Sequence, residues 1–237
     1  MRVLEVWRYP VKSLLGERLE AATVGQTGIE GDRRYALFDA GSGLGLTARR
    51  VPQMLFASAL LRPDGSVEIT LPDGSVPDGD ADLSDWLGRS VTLRSAAQAP
   101  SRTYENVDDF EDETASAWTA FVGADGALHD CPGAQVSLVS LATIGRWDAR
   151  RFRSNLLVDG DGEDALVGTR VAIGDAVLDV GMRIERCVMT TRAQAAGIDK
   201  DLDVLRTIHR ERQSCLAVGG LVATGGTIRV GDEVRPA

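Results

Sequence analysis

Cys187 lies in the run Arg186-Cys187-Val188-Met189-Thr190-Thr191, far in sequence from the other two cysteines, Cys131 and Cys215. A thiolate is a nucleophile and a soft metal ligand, and it needs positive surroundings or a metal to form near neutral pH. Arg186 is adjacent, but neighbours on a strand point to opposite faces, so adjacency alone does not bring its charge to the sulfur. Thr190 and Thr191 add hydroxyls for a polar pocket. Taken alone, a free thiol is more often a small buried hydrophobe than a ligand.

Four cations stand where strands meet loops. Lys12 follows Tyr9-Pro10-Val11 and precedes Ser13, Arg33 follows Gly31-Asp32, Arg153 opens a strand carrying Asn155, and Arg186 precedes Cys187. Each by itself reads as a solvated charge. The formal net charge is −9, which makes a local basic cluster more informative. Together the four can line a pocket for a phosphorylated ligand, the arginines through paired donors and the lysine as a point charge. A helix expected to begin near Ser140 would add backbone N–H groups suited to an anion.

Other constellations carry less. His129 and His209 are too few and too far apart for a metal cluster, and His129 beside Cys131 lacks the third group that would orient a Cys–His nucleophile pair. Gly41-Ser42-Gly43-Leu44-Gly45 has the glycines of a nucleotide loop, but the residues after it look extended and end at Pro52, so a hairpin turn is the expectation. Three widely spaced cysteines give neither a disulfide framework nor a CxxC zinc pattern.

The elements that must position these residues are mostly strands. Val3 to Trp7, Tyr35 to Phe38, Met54 to Leu61 and Val67 to Leu71 read as four strands. Pro63-Asp64-Gly65-Ser66 and Pro72-Asp73-Gly74-Ser75 read as two similar turns, since proline presets φ and glycine accepts a positive one. A polar, acidic stretch from Ala96 to Glu113 suggests a soft boundary, dividing the chain into 1–97 and 98–237. A helix is expected after it, with Trp118, Phe121 and Val122 on one side. Val136 to Val139 reads as a strand running into the short helix near Ser140. Leu156 to Val158 is a further strand, Thr169 to Val180 a hairpin turning at Gly174-Asp175, and Asp201 to Arg212 a helix capped by Asp199 or Asp201. Without a regular βαβ alternation, the pattern predicts a mainly β chain with short helices, an α+β barrel-like architecture in two parts.

At 237 residues, 43% hydrophobic and 26% charged, the chain can bury a core without disulfide or metal staples. An acidic balance offers no basic excess for displacing counterions from nucleic acid, so no nucleic-acid partner is expected. The longest apolar runs are too short to span a bilayer, so no membrane partner is expected. The first residues, Met1-Arg2-Val3-Leu4-Glu5-Val6, read as a strand and not as a signal peptide, which makes a cytoplasmic location the default.

Seven segments in this order resemble the MOSC-domain proteins, specifically the two-part group with an N-terminal MOSC-associated barrel that includes the mitochondrial amidoxime-reducing components and their bacterial relatives. They are Tyr9 to Ser13, Gly31 to Tyr35, Thr47-Ala48-Arg49, Ser137 to Thr143, Arg151 to Asn155, Arg186 to Thr191 and Gly226 to Asp232. The resemblance implies a MOSC N-terminal β-barrel followed by a MOSC β-barrel, and a molybdenum cofactor (molybdenum-molybdopterin) with Cys187 as the metal ligand. It implies that Lys12, Ser13, Arg33, Arg153, Asn155 and Arg186 hold the pterin and its phosphate, with Ser140 and Thr143 as additions at the helix start. It also implies reduction of N-hydroxylated small molecules, such as amidoximes and hydroxylated bases, with electrons from a separate reductase or ferredoxin-type protein. A sulfur carrier using a Cys187 persulfide, or a binding module without chemistry, are the alternatives. The chain departs from the family pattern at Ser154, where proline is usual, at Gln194 to Gly197, where an acidic turn is usual, and at Cys215 to Gly220. That last segment lacks the aromatic residue often found after the second helix, which would leave the substrate wall near Gly219 open.

Overall fold

The computed structural model describes residues 1–107 and 115–237. The last part of the acidic boundary stretch therefore lies outside the described residues. As the sequence pattern predicts, the protein is mainly β with short helices.

In the first half the strands are β1 (Val3–Arg8), β2 (Glu17–Leu19), β3 (Ala21–Gly25), β4 (Gly28–Ile29), β5 (Tyr35–Asp39), β6 (Ser58–Leu61), β7 (Val67–Thr70), β8 (Val91–Ser95) and β9 (Thr103–Val107), with helix α1 (Asp80–Leu87) between β7 and β8. The second half holds β10 (Trp118–Val122), β11 (Val136–Ser140), α2 (Leu141–Ile144), β12 (Leu156–Val158), β13 (Thr169–Ile173), β14 (Ala176–Glu185), α3 (Asp203–Arg212), β15 (Cys215–Thr224), β16 (Gly226–Arg229) and β17 (Val234–Pro236). One large curled sheet runs in the order β17-β13-β14-β15-β11-β12-β1-β2, so the first two strands of the chain complete a sheet built mainly from its second half. β11 and β12 are parallel and are linked through α2 and a 3-10 turn at Ala149–Phe152.

Buried apolar clusters hold this arrangement. Val6, Leu156, Leu178, Val218 and Ile228 fill the space between the large sheet and the β3–β16 ribbon. Leu37, Met54, Leu55 and Leu83 form the core of the first half. On the other face of the large sheet, Phe152 and Leu216 pack against Val204 and Ile208 of α3. Burying such side chains is the main driving force, at roughly 1.5–3 kcal/mol for each large one.

Three expectations are corrected. Trp118, Phe121 and Val122 sit on a strand, not a helix: β10 pairs antiparallel with β9, and Phe121 packs its ring 5.6 Å from that of Tyr104. Their i, i+3, i+4 spacing fits a helix, but pairing and ring packing decide the outcome. Met54 to Leu61 is not one strand: Pro52 opens a 3-10 turn through Phe56, where its fixed φ and missing N–H are tolerated, and β6 begins only at Ser58. The cap of α3 is Leu202; Asp201 instead accepts the Asp203 N–H from one residue further out. The Gly41–Gly45 segment is a hairpin turn, with the Asp39 carboxylate accepting from the N–H groups of Gly41 and Ser42. Among the described residues, no helix is long and apolar enough to cross a membrane.

Candidate functional site

After β1 the chain runs as Tyr9 to Ser13 alongside the segment leading into β5. Tyr9 N–H donates to the Asp32 carboxylate at 2.7 Å, Arg33 N–H to Tyr9 C=O at 2.7 Å, and Lys12 N–H to Tyr35 C=O at 2.8 Å. Two loops of the first half are thereby clamped together at one edge of a cleft of about 210 Å³. The opposite edge is made by Arg151 to Asn155 before β12, and by the chain leaving β14 at Arg186 and Cys187.

Six cations line this cleft, Lys12, Arg33, Arg49, Arg151, Arg153 and Arg186, against two carboxylates, Asp130 and Glu185. This is the reverse of the protein's overall charge. Three of its lining residues, Ser13, Arg33 and Arg153, have φ of 72°, 45° and 52°. Non-glycine residues held in the left-handed region cost free energy and concentrate at functional sites.

Arg33 and Arg153 place their guanidinium carbons 4.7 and 4.5 Å from the centre of the Tyr9 ring, a cation–π stack that keeps two like charges side by side. Arg33 also pairs with Asp32 and donates to Arg153 C=O at 2.9 Å. Arg153 is not inside a strand; it ends the 3-10 turn and donates to Leu14 C=O. Burial lowers the pKa of Arg153 and of Arg186 to about 10, which leaves both cationic at neutral pH. Burial also pushes Tyr9 up to about 12, against the pull of Arg153 and Arg33, so its phenol stays protonated.

Arg186 and Cys187 both line the cleft, because β14 ends at Glu185 and strand alternation no longer applies. The Arg186 guanidinium donates to Leu216 C=O at 2.6 Å and to Phe152 C=O at 2.9 Å, and reaches Ser154 Oγ at 3.4 Å. Ser154 thus supplies a contact in place of the family's usual proline. Cys187 caps a 3-10 turn over Val188–Thr191, and its C=O accepts from both the N–H and the hydroxyl of Thr190. The hydroxyls of Thr190 and Thr191 donate to the main chain of this turn, so the turn, not the pocket, is what they serve. Arg151 holds the same turn from outside, donating to the carbonyls of Thr190, Arg192 and Asp199.

Asn155 and Ser13 reach the cleft but spend their polar atoms on structure. Asn155 Oδ1 accepts from the Ser137 hydroxyl at 2.9 Å and its Nδ2 donates to Trp7 C=O, tying β11, β12 and β1 together. Ser13 Oγ accepts the Ala48 N–H at 2.9 Å and so fixes the segment that carries Arg49. Ser140 and Thr143 lie elsewhere. Ser140 Oγ caps α2 by accepting the Thr143 N–H, and the Thr143 hydroxyl donates to the buried carboxylate of Glu163 at 3.0 Å. Gly219 is not an open gap either: a Cβ there would lie 2.7 Å from the Ala134 Cβ, and Ala134 itself lines the cleft.

Three residues outside the predicted set complete the site. Asp130 pairs with both Lys12 and Arg49, the latter at 2.8 Å. Burial alone would raise the Asp130 pKa; Lys12 and Arg49 outweigh it and hold the carboxylate well below its usual range. Lys12 is pulled below its ordinary value by burial, with Asp130 opposing. Arg49 is 7% exposed, and its Nε and Nη1 have no hydrogen-bond partner among the described residues. His129 is 8% exposed with an unpartnered Nε2, and burial with the Arg33 charge lowers its pKa to about 4. Arg49 lies in one of the segments that carry the family resemblance; nothing in the local sequence pattern marks Asp130 or His129 as convergent on the thiol.

Two family models together match residues 1–235. Residues 1–122 match the MOSC N-terminal beta barrel domain and residues 119–235 the MOSC domain. The molybdenum cofactor sulfurase of Drosophila grimshawi is 25% identical over 244 residues, covering 92% of this chain and 31% of that protein. The chain thus spans about a third of the length of that curated relative. Among solved structures, the YuaD protein from Bacillus subtilis aligns over 98% of this chain and 93% of its own, at 11% identity and a TM-score of 0.46. YiiM from Geobacillus stearothermophilus aligns over 58% of this chain and 73% of its own, at 16% identity and a TM-score of 0.36.

Proposed function

Because this chain belongs to the MOSC family, carrying the MOSC N-terminal beta barrel domain followed by the MOSC domain, we propose that it is a molybdenum-cofactor-dependent oxidoreductase that reduces N-hydroxylated compounds. The observation that carries this reading is the setting of Cys187: a soft donor in the wall of a cleft lined by six cations, where the second cysteine of the lining, Cys131, donates its thiol to Met182 Sδ at 3.3 Å. For a molybdenum centre carried on a phosphorylated pterin, a thiolate would suit the metal and cations would suit the phosphate. The residues present fit that group, since buried nitrogens of Arg49 and His129 are left without hydrogen-bond partners among the described residues. Buried polar groups are otherwise almost always satisfied.

When bound, the group supplies a two-electron couple able to take oxygen from an N–O bond. Cys187 would hold the metal. Arg33, Arg153 and Arg186, already fixed by main-chain carbonyls, would hold the phosphate and pterin without reorganising on binding. Lys12 adds a charge whose position is fixed by Asp130 and Leu128 C=O. Cleaving the N–O bond of an amidoxime or hydroxylated base consumes two electrons and two protons, and releases the amidine or parent base and one water. The electrons come from a separate reductase or ferredoxin-type protein.

The test is direct. Protein reconstituted with the cofactor and a chemical reductant should convert benzamidoxime to benzamidine, and Cys187→Ala should abolish turnover; no conversion by the wild-type protein overturns the reading. A second reading, a sulfur-transfer protein with a Cys187 persulfide, draws on the relative named a molybdenum cofactor sulfurase. Persulfide labelling of Cys187 in protein free of molybdenum separates the two.

A further inference from the structure

Arg49 and Cys187 line the same cleft from opposite halves of the chain. The segment after the cysteine turn reaches back to the arginine: the Arg192 guanidinium donates to Arg49 C=O at 3.0 Å, and Ala195 N–H to Leu55 C=O at 3.1 Å. Asp130 takes Nη2 of Arg49 at 2.8 Å, and the guanidinium carbon lies 4.9 Å from the centre of the Phe121 ring. The fork is thus pinned on one side by a carboxylate and below by a ring. Its remaining Nε and Nη1 are buried and have no hydrogen-bond partner among the described residues. Arg49 is nonetheless held above its ordinary pKa: burial opposes the cation, and Asp130 together with the nearby Cys187 sulfur outweighs it.

We propose that Arg49 is a positioning residue for Cys187, donating an N–H to its sulfur when that sulfur is a thiolate metal ligand, with Asp130 fixing the guanidinium for the task. The proposal rests on the reading of Cys187 as a metal ligand. An arginine is suited to the role because its charge is permanent and its planar fork can serve a carboxylate and a sulfur at once. Hydrogen bonds to a ligating sulfur withdraw electron density from it and favour the reduced metal, which raises the reduction potential. No bond is made or broken by Arg49 itself.

The experiment compares holo wild-type protein with Arg49→Met, Arg49→Lys and Cys187→Ala. It measures the molybdenum-to-protein ratio, the midpoint potential and the electron paramagnetic resonance g values of the metal. In the molybdenum-loaded fraction of Arg49→Met, the potential is expected to fall and the g values to move, because the ligating sulfur has lost a hydrogen-bond donor. Arg49→Lys keeps the charge and the Asp130 pair but loses the fork, so it is expected to recover part of the shift. It also carries the test if Arg49→Met does not fold. Potentials and g values at wild-type positions in the folded variants overturn the proposal, as does a rise in KM with an unchanged spectrum, which would make Arg49 a substrate contact. If wild-type protein binds molybdenum and Cys187→Ala retains it with an unchanged spectrum, it is the ligand reading itself that fails.

Discussion

β11 touches two polar clusters of different make-up: Ser137 lines the Cys187 cleft, and Ser140, at the end of the strand, caps α2. Around α2 the local groups serve one another and a carboxylate: Ser140 caps the helix, Thr143 donates to Glu163 Oε2, and Glu163 Oε1, buried and without a hydrogen-bond partner among the described residues, lies 3.8 Å from the Arg212 guanidinium. An anion approaching the start of that helix would meet a carboxylate. Around Cys187 the balance is the other way, with cations in excess and buried nitrogens of Arg49 and His129 unpartnered among the described residues. A helix start is thus no anion site when its own sequence supplies the acceptors. Cations become one when burial fixes them and too few carboxylates accompany them.

This contrast can be tested on both sides. The largest effect belongs to His129. Its pKa of about 4 lies below the ordinary value near 6.5, so the unfolded chain takes up the proton first. Stability attributable to this site should therefore fall as pH drops from about 6.5 to about 4, by about 3 kcal/mol over the whole window. His129→Gln should flatten that slope in denaturant melts; an unchanged slope would mean the imidazole is not held neutral by its burial and the Arg33 charge.

Asp130→Asn comes next. It leaves Lys12 and Arg49 without their shared anion, and should cost about 2 kcal/mol, less than a fully buried pair because the Asp130 side chain is 42% exposed. The Asp130 pKa lies below its unfolded value, so its contribution is present at neutral pH and is lost as pH falls below about 4. The variant should lack that acid-side loss. Ser140→Ala is the smallest: loss of the cap should cost about 1 kcal/mol and leave cofactor content untouched. A fall in cofactor content in Ser140→Ala would erase the distinction between the two clusters.

Much of the architecture is legible in the sequence. The hairpin from Thr169 to Ile173 and Ala176 onward, the strand into the helix at Ser140 and the two Pro-Asp-Gly-Ser turns follow from local pattern and turn chemistry. The β10 strand is not legible, because Trp118, Phe121 and Val122 fit a helical spacing and only pairing with β9 decides between the two. In the site, Lys12, Arg33, Arg153, Arg186 and Cys187 come together as their types and edge positions suggest. Ser140 and Thr143 do not: Ser140 spends its hydroxyl on the local cap of α2, and the Thr143 hydroxyl turns to Glu163. Asp130 and His129 are invisible because their role depends on Lys12 and Arg33, about a hundred residues earlier. A one-dimensional pattern records which charges exist, not which of them are left unanswered once the chain has folded.

The central claim is that Cys187 is a metal ligand in a cofactor cleft. Elemental analysis of freshly purified wild-type and Cys187→Ala protein tests it most directly. The claim predicts close to one molybdenum per wild-type chain and a loss of about tenfold or more in the variant. Equal molybdenum in both, or persulfide on Cys187 with no molybdenum in the wild type, would contradict it.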